Sequence, residues 1–280
     1  MSKIITCPGT AKRDDLLSIS FVLCKDANVK LIERREPTSF EIDDPNIWVL
    51  NVGKVYNPDV KAFNCLNEST FSLLLKEYDL YDTANKALSW LKTTVSIGSH
   101  GFEAICKAHN IEDEKRYLFQ SPTEDPFIDE LSQKSTINPE DWLFLILKKI
   151  GLSILYKIDE YTRLTQLIEK KCVAKRIKGV PVIKFLEGES SKTLSSVIYN
   201  YKIRKFGHIR GGLSIIRDNR NENCIRLYRF NNDKRIDFKR LNGNYPIRFL
   251  HEKEFLSVID LPEDESISTF VNNIINVVIV

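Results

Sequence analysis

A chain of 280 residues, 42% hydrophobic, 10% aromatic and 28% charged, is long enough for about two domains with full cores and has the composition of a soluble globular protein. No apolar run reaches the roughly 18 residues of a bilayer span, which argues against a membrane partner, and the first residues lack the basic and apolar regions of a secretory signal. The net charge of +3 hides a division: residues 171–250 carry 19 Lys and Arg against 6 Asp and Glu, a net +13, and the rest carries 22 against 32, a net −10.

In chain order, residues 4–6 read as a strand, followed by a Pro8-Gly9 turn and a helix from Asp14 to about Lys25 that is apolar on nearly all sides. The stretch Cys7–Asp15, CPGTAKRDD, is the point of organisation. A loop between a strand end and a helix start is where open α/β sheets place metals and phosphates. Residues 29–33 and 48–52 read as further buried strands, so the opening is βαβ-like and favours a parallel sheet. Helices are expected over 71–78, 83–92 and 101–109, with loop and short helix over 111–129. Asn138-Pro139-Glu140-Asp141 is a strong helix start, and apolar residues recur from Trp142 to Ile168 in a long connecting helix, bent at Gly151. Strands over 180–185, 213–216, 224–230, 247–251 and 255–259, with helices over 191–201 and 265–276, make the remainder an α+β module with a mostly antiparallel sheet. The expected division is 1–136, a connector over 137–170, and a basic domain over 171–280.

Six cysteines, Cys7, Cys24, Cys65, Cys106, Cys172 and Cys224, are scattered without a CxxC pair. In a chain with no export signal they read as reduced, buried thiols of an intracellular, cytoplasmic protein. The basic region points to a polyanion. Lys175, Arg176, Lys178, Lys202, Arg204, Lys205, His208 and Arg210 are its candidate contacts, and Gly211-Gly212 offers either an anion nest or a simple turn. Tyr199, Tyr201, Phe206, Tyr228 and Phe230 would stack on bases if exposed, and otherwise build the sheet core.

Several blocks then coincide with one family. CPGTAKRDDLLS resembles the HPGTAHRDDxLS opening of the melanocyte-proliferating-gene family, relatives of the DHH phosphoesterases. ERREPT (33–38), WVLNVGKVYNPDVKAFNCLNE (48–68), STFSLLLKEYDLYDTANKALSWL (69–91) and IDFKRLNGNYPIRFLHEKEFLSV (236–258) follow in the family's order. Coverage is nearly the whole chain, weakest between about 112 and 200. The resemblance implies a DHH-type parallel-sheet domain joined to a smaller substrate-binding domain. It also implies a metal-dependent phosphoesterase with 3′-to-5′ exonuclease activity on RNA.

Residue by residue, the implied metal shell is degenerate. Cys7 and Lys12 stand where the family has histidines, Asn51 where it has the Asp of DVG, and Asn64, Cys65 and Leu66 where it has the DHH triplet, while Asp14 and Asp15 are retained. Asn lacks the charge of Asp, Leu cannot coordinate, and a Lys ammonium repels a cation. Lys12 and Arg13 are expected to hold an anion or to pair with Asp14 or Asp15. Cys7, Cys65 and Asp14 leave Zn²⁺ as a thiolate alternative to buried thiols. His251 matches the family's terminal His, but Glu254 replaces the Gly after it. The expectation is a pseudoenzyme without cofactor, which binds RNA or an RNA–protein assembly such as the ribosome. Its alternatives are an Mn²⁺- or Mg²⁺-dependent phosphoesterase with a rearranged site, and a protein-binding module with a structural cleft.

Overall fold

A computed structural model describes residues 2–64, 68–100, 125–189, 191–209, 211–218, 223–262 and 265–280. The expected helix at 101–109, most of the expected loop at 111–129, and Cys65, Leu66 and Arg210 lie outside the described residues. The chain divides into two compact units, 1–159 and 160–280.

The first unit is built on a six-stranded sheet in the order β4-β5-β3-β1-β2-β6. Its middle strands are β1 (Ser2–Thr6), β2 (Val29–Arg34), β3 (Ile47–Leu50) and β5 (Ala62–Phe63), all paired in parallel. The short strands β4 (Tyr56–Asn57) and β6 (Thr136–Ile137) close the two edges antiparallel. Every residue of β3 is buried, as in a strand covered on both faces. Helix α1 (Arg13–Lys25) is buried continuously from Asp14 to Leu23, which accounts for its all-round apolar sequence. It packs on α3 (Thr70–Glu77), where Phe21 meets Phe71 edge-on at 6.0 Å. The short helix α2 (Ser39–Ile42) follows β2.

The helix expected over 83–92 is two, α4 (Tyr81–Ala87) and α5 (Leu91–His100). Leu88 leaves the helical region with φ −112° and ψ 97°, and both Leu88 and Leu91 are buried, so the break turns an apolar residue inward on each side. Helix α6 is Asp125–Gln133. Helix α7 is Trp142–Lys171. Gly151 lies inside this continuous helix. A Cβ there would lie 2.0 Å from the Ser20 carbonyl oxygen and 2.6 Å from Cys24 Sγ, so the glycine serves a close approach to α1.

The second unit holds a sheet in the order β11-β12-β10-β9-β8-β7. It is antiparallel except where β8 (Val180–Phe185) runs parallel to β9 (Leu213–Asp218), joined by α8 (Leu194–Phe206). Strand β7 (Val173–Ile177), not expected from the sequence, forms a hairpin with β8 through Lys178-Gly179, both with positive φ. Strands β10 (Cys224–Arg229), β11 (Ile247–Leu250) and β12 (Leu256–Asp260) complete the sheet. Leu213, Ile215, Ile225 and Leu227 share a core with Phe270, Val271, Ile274 and Val278 of α9 (Ile267–Val278). Alternation along β9 and β10 therefore sends Ser214, Ile216, Arg226 and Tyr228 to the opposite face.

Candidate functional site

At the carboxyl end of β1 the chain turns through Pro8-Gly9 into α1, and both carboxylates of its first turn are drawn inward. Asp14 is 5% exposed and Asp15 3%. Asp14 serves the N-terminus of α3: the Thr70 N–H donates to Oδ2 at 2.9 Å, the Phe71 N–H to Oδ1 at 3.2 Å, and the Ser69 hydroxyl donates to Oδ1 as well. A helix N-terminus presents unpaired N–H groups and a partial positive charge, so a carboxylate fits there. Burial pushes the Asp14 carboxyl up to about 6, against the opposing pull of these donors.

Asp15 is likewise engaged. Its Oδ2 accepts the Lys12 main-chain N–H at 2.8 Å, closing the first turn of α1, and its Oδ1 accepts Asn51 Nδ2 at 2.6 Å. Burial raises its pKa, while Asn51, the Lys12 N–H and the charges of Lys12 and Arg34 act in the opposite direction. Asn51 has φ 57°, a conformation that Asn tolerates better than most residues. An amide dipole thus stands directly on a carboxylate that the family resemblance would place opposite a second carboxylate.

Arg34 was not singled out by sequence. It is 6% exposed, and its guanidinium donates to the Leu131 carbonyl at 2.6 Å, to the Ser132 carbonyl at 2.7 Å and to the Gly9 carbonyl. Ser132 Oγ accepts the Ala11 N–H at 2.9 Å. Together they tie the opening turn to the end of α6. Strand parity was the available signal, since Arg34 shares the inward face of β2 with Ile32.

The remaining expected ligands are dispersed in role. Cys7 and Asn64 are partly buried, and the Asn64 N–H donates to the Val55 carbonyl at 2.9 Å. The Lys12 side chain is exposed, and Arg13 lies 5.0 Å over the Trp90 ring. Among the described residues no group of three His, Cys, Asp or Glu side chains converges. Divalent hard cations require several free oxygen or imidazole donors. Asp14 has three of its roughly four acceptor positions filled, and Asp15 is met by two N–H donors, so the described residues do not fit Mn²⁺ or Mg²⁺.

In the second unit the basic residues fall into two groups. Arg176 lies 5.5 Å over Phe206, Arg204 and Lys205 both pair with Glu169 at 2.8 and 3.5 Å, and both lie over the Tyr201 ring; Lys175 and His208 are exposed. These five form the outward group. Lys178 is exposed too, but its ammonium is taken up by the Ile279 carbonyl at 3.0 Å; only Lys202, 1% exposed, turns inward, donating to the Ile209 carbonyl at 2.9 Å with its pKa lowered by burial. The glycine pair already holds an anion, but an internal one. The Gly212 N–H donates to Asp233 Oδ2 at 3.0 Å, and Arg235 grips the same carboxylate at 2.7 and 2.9 Å. His251 packs on Phe255 at 4.0 Å, and Glu254 keeps a glycine-type φ of 53° while pairing with Lys239 at 2.8 Å. Of the five aromatics named from sequence, Tyr201 and Phe230 are buried, whereas Tyr199 and Tyr228 are 40% and 38% exposed.

The four described cysteines, Cys7, Cys24, Cys172 and Cys224, are not joined in disulfides, and burial pushes Cys172 up to about 12. No helix among the described residues is long and apolar enough to cross a membrane.

No family model and no curated protein matches the sequence. Among solved structures, the chain is similar to a DHH domain from a member of the s1p family of ribosomal proteins, with 8% identity, a TM-score of 0.39, and 99% of this chain and 87% of that one covered. It is similar to RecJ from Thermus thermophilus, solved in complex with Mg²⁺, with 10% identity, a TM-score of 0.31, and coverage of 93% and 47%. A Methanococcus jannaschii protein described as a family II inorganic pyrophosphatase gives 12% identity, a TM-score of 0.24, and coverage of 99% and 100%. At these scores the likenesses carry no functional weight. Among the described residues the architecture is mixed α/β, with two six-stranded sheets.

Proposed function

We propose that this chain is a catalytically inactive relative of the DHH phosphoesterases, of the melanocyte-proliferating-gene type, that retains binding to RNA or an RNA–protein assembly. The observation that supports it is the commitment of both retained carboxylates: Asp14 caps α3, and Asp15 accepts the Asn51 amide. Phosphoryl hydrolysis of this class draws its power from cations that polarise the phosphate and activate water. Here the first-helix acids instead hold main-chain and amide N–H groups. RNA binding is supported by the +13 balance of residues 171–250 and by the outward cluster of Lys175, Arg176, Arg204, Lys205 and His208. Phosphate contacts by such side chains supply affinity without sequence preference.

Two measurements on the full chain test the reading. Purified protein is expected to carry no stoichiometric transition metal and to leave a single-stranded RNA intact with added Mn²⁺; metal-dependent trimming of the strand would overturn the inactive assignment. Retention on immobilised RNA is expected at low salt and to fall as ionic strength rises. Indifference to RNA at low salt would overturn the binding assignment.

A further inference from the structure

The face of the second sheet away from α9 is only partly covered by α8. Between them lies a cleft of about 430 Å³, within the range of small-molecule sites. Its walls are aromatic: Tyr199 from α8, Tyr228 from β10, Phe230 and Phe255. Tyr228 is held by edge-to-face contacts with Phe230 at 5.1 Å and 76°, and with Phe255 at 5.9 Å and 73°, so its ring has a fixed plane although the residue is 38% exposed. Tyr199 meets Phe230 at 5.9 Å. From the interior, Lys202 Nζ stands 5.0 Å from the Phe230 ring and 5.6 Å from that of Tyr199, bracing both. Arg226 lines the cleft from the neighbouring position on the same strand face, and Ser195 lies at its exposed side.

Flat, braced rings with accessible faces and a guanidinium among them are the features that hold an unstacked base attached to phosphate. A guanidinium on the wall favours a ligand with polar edges over an aliphatic one. We infer that this cleft accepts one nucleobase of a single-stranded RNA, stacked on Tyr228 and Tyr199, with Arg226 placed for a base edge or phosphate. This deepens the RNA-binding reading above and rests on it.

The test uses the full chain and the fluorescence anisotropy of a labelled single-stranded oligoadenylate, beside the same oligomer with abasic positions and a titration of adenosine monophosphate. Tyr228→Ala is expected to weaken oligoadenylate binding about 5- to 150-fold while leaving the abasic oligomer unaffected. Tyr228→Phe should keep most of the affinity. Ser195→Trp, a change on the exposed side of α8, should obstruct the cleft and reproduce the loss if the alanine variant folds poorly. If Tyr228→Ala, Tyr199→Ala and Ser195→Trp all bind both oligomers like the parent chain, the base site is overturned and RNA binding stands. If the parent binds neither oligomer at low salt, RNA binding falls. Adenosine monophosphate binding that Tyr228→Ala abolishes would then retain the base site, and its absence would sink both.

Discussion

Asn51 and Asp15 illustrate how one substitution changes the chemistry of a buried point. As an amide, Asn51 donates to Asp15 at 2.6 Å. As a carboxylate it would face a like charge in a site where Asp15 is 3% exposed. Asn51→Asp is therefore expected to cost about 1–3 kcal/mol at neutral pH, read as a lowered melting temperature, with the loss shrinking as acid lets the pair share a proton. Asp14 makes a second prediction. Its folded pKa of about 6 lies above the ordinary value of 3.8, so the native state binds the proton more tightly than the unfolded chain. Its contribution to stability is then most favourable below about pH 4 and declines as pH rises to about 6. The total is on the order of 3 kcal/mol, and above pH 6 no further change comes from this group. Urea denaturation across that window should show the decline in the parent chain and a shallower slope in Asp14→Asn. An unchanged slope would remove Asp14 from the account.

Between elements, the contact of α1 with α7 turns on Gly151. Alanine is worth about 1 kcal/mol over glycine in a helix interior. A Cβ 2.0 Å from the main-chain oxygen of Ser20 cannot be absorbed by a side-chain rotation, so the steric term wins. Gly151→Ala is expected to destabilise by about 1–3 kcal/mol, measured by thermal melting, and a gain in stability would contradict the packing. The glycine pair before β9 works differently. Gly211 has φ +89°, and a Cβ there would meet Asp233 Oδ2 at 2.2 Å. Sequence legibly marked a turn or nest there, but not its occupant, because Asp233 lies far along the chain. Lys202 differs: the Ile209 carbonyl that takes up its amine is only seven residues on, and what sequence hid was the burial of the side chain.

At the scale of the whole molecule, the RNA-binding reading proposed above makes the charge division set the expected response to salt. For single strands the slope of log affinity against log salt is roughly −0.7 per phosphate neutralised. Arg204 and Lys205 lie in the outward group, so the double change Arg204→Gln with Lys205→Gln should make that slope shallower by about 1.4 and weaken all sequences alike. A slope unaffected by the pair would remove Arg204 and Lys205 from the proposed RNA contact.

Local pattern was enough for the strand–turn–helix opening, the buried α1, the long α7 and a basic, mostly antiparallel second half, since periodicity and capping are properties of neighbours in the chain. The family resemblance likewise raised the expectation of a depleted metal shell, with Asn51 where that family carries an acid, and that comparison needs no coordinates. Only the tertiary structure decided where the remaining acids spend their lone pairs, which lysines face inward and which tyrosines keep an open face. Those outcomes depend on partners brought together from distant segments: Asp14 on the start of α3, Arg34 on the end of α6, Asp233 on Gly212. A hydrogen bond or a ring contact of that kind is a property of the pair in space, and no single stretch of sequence carries it.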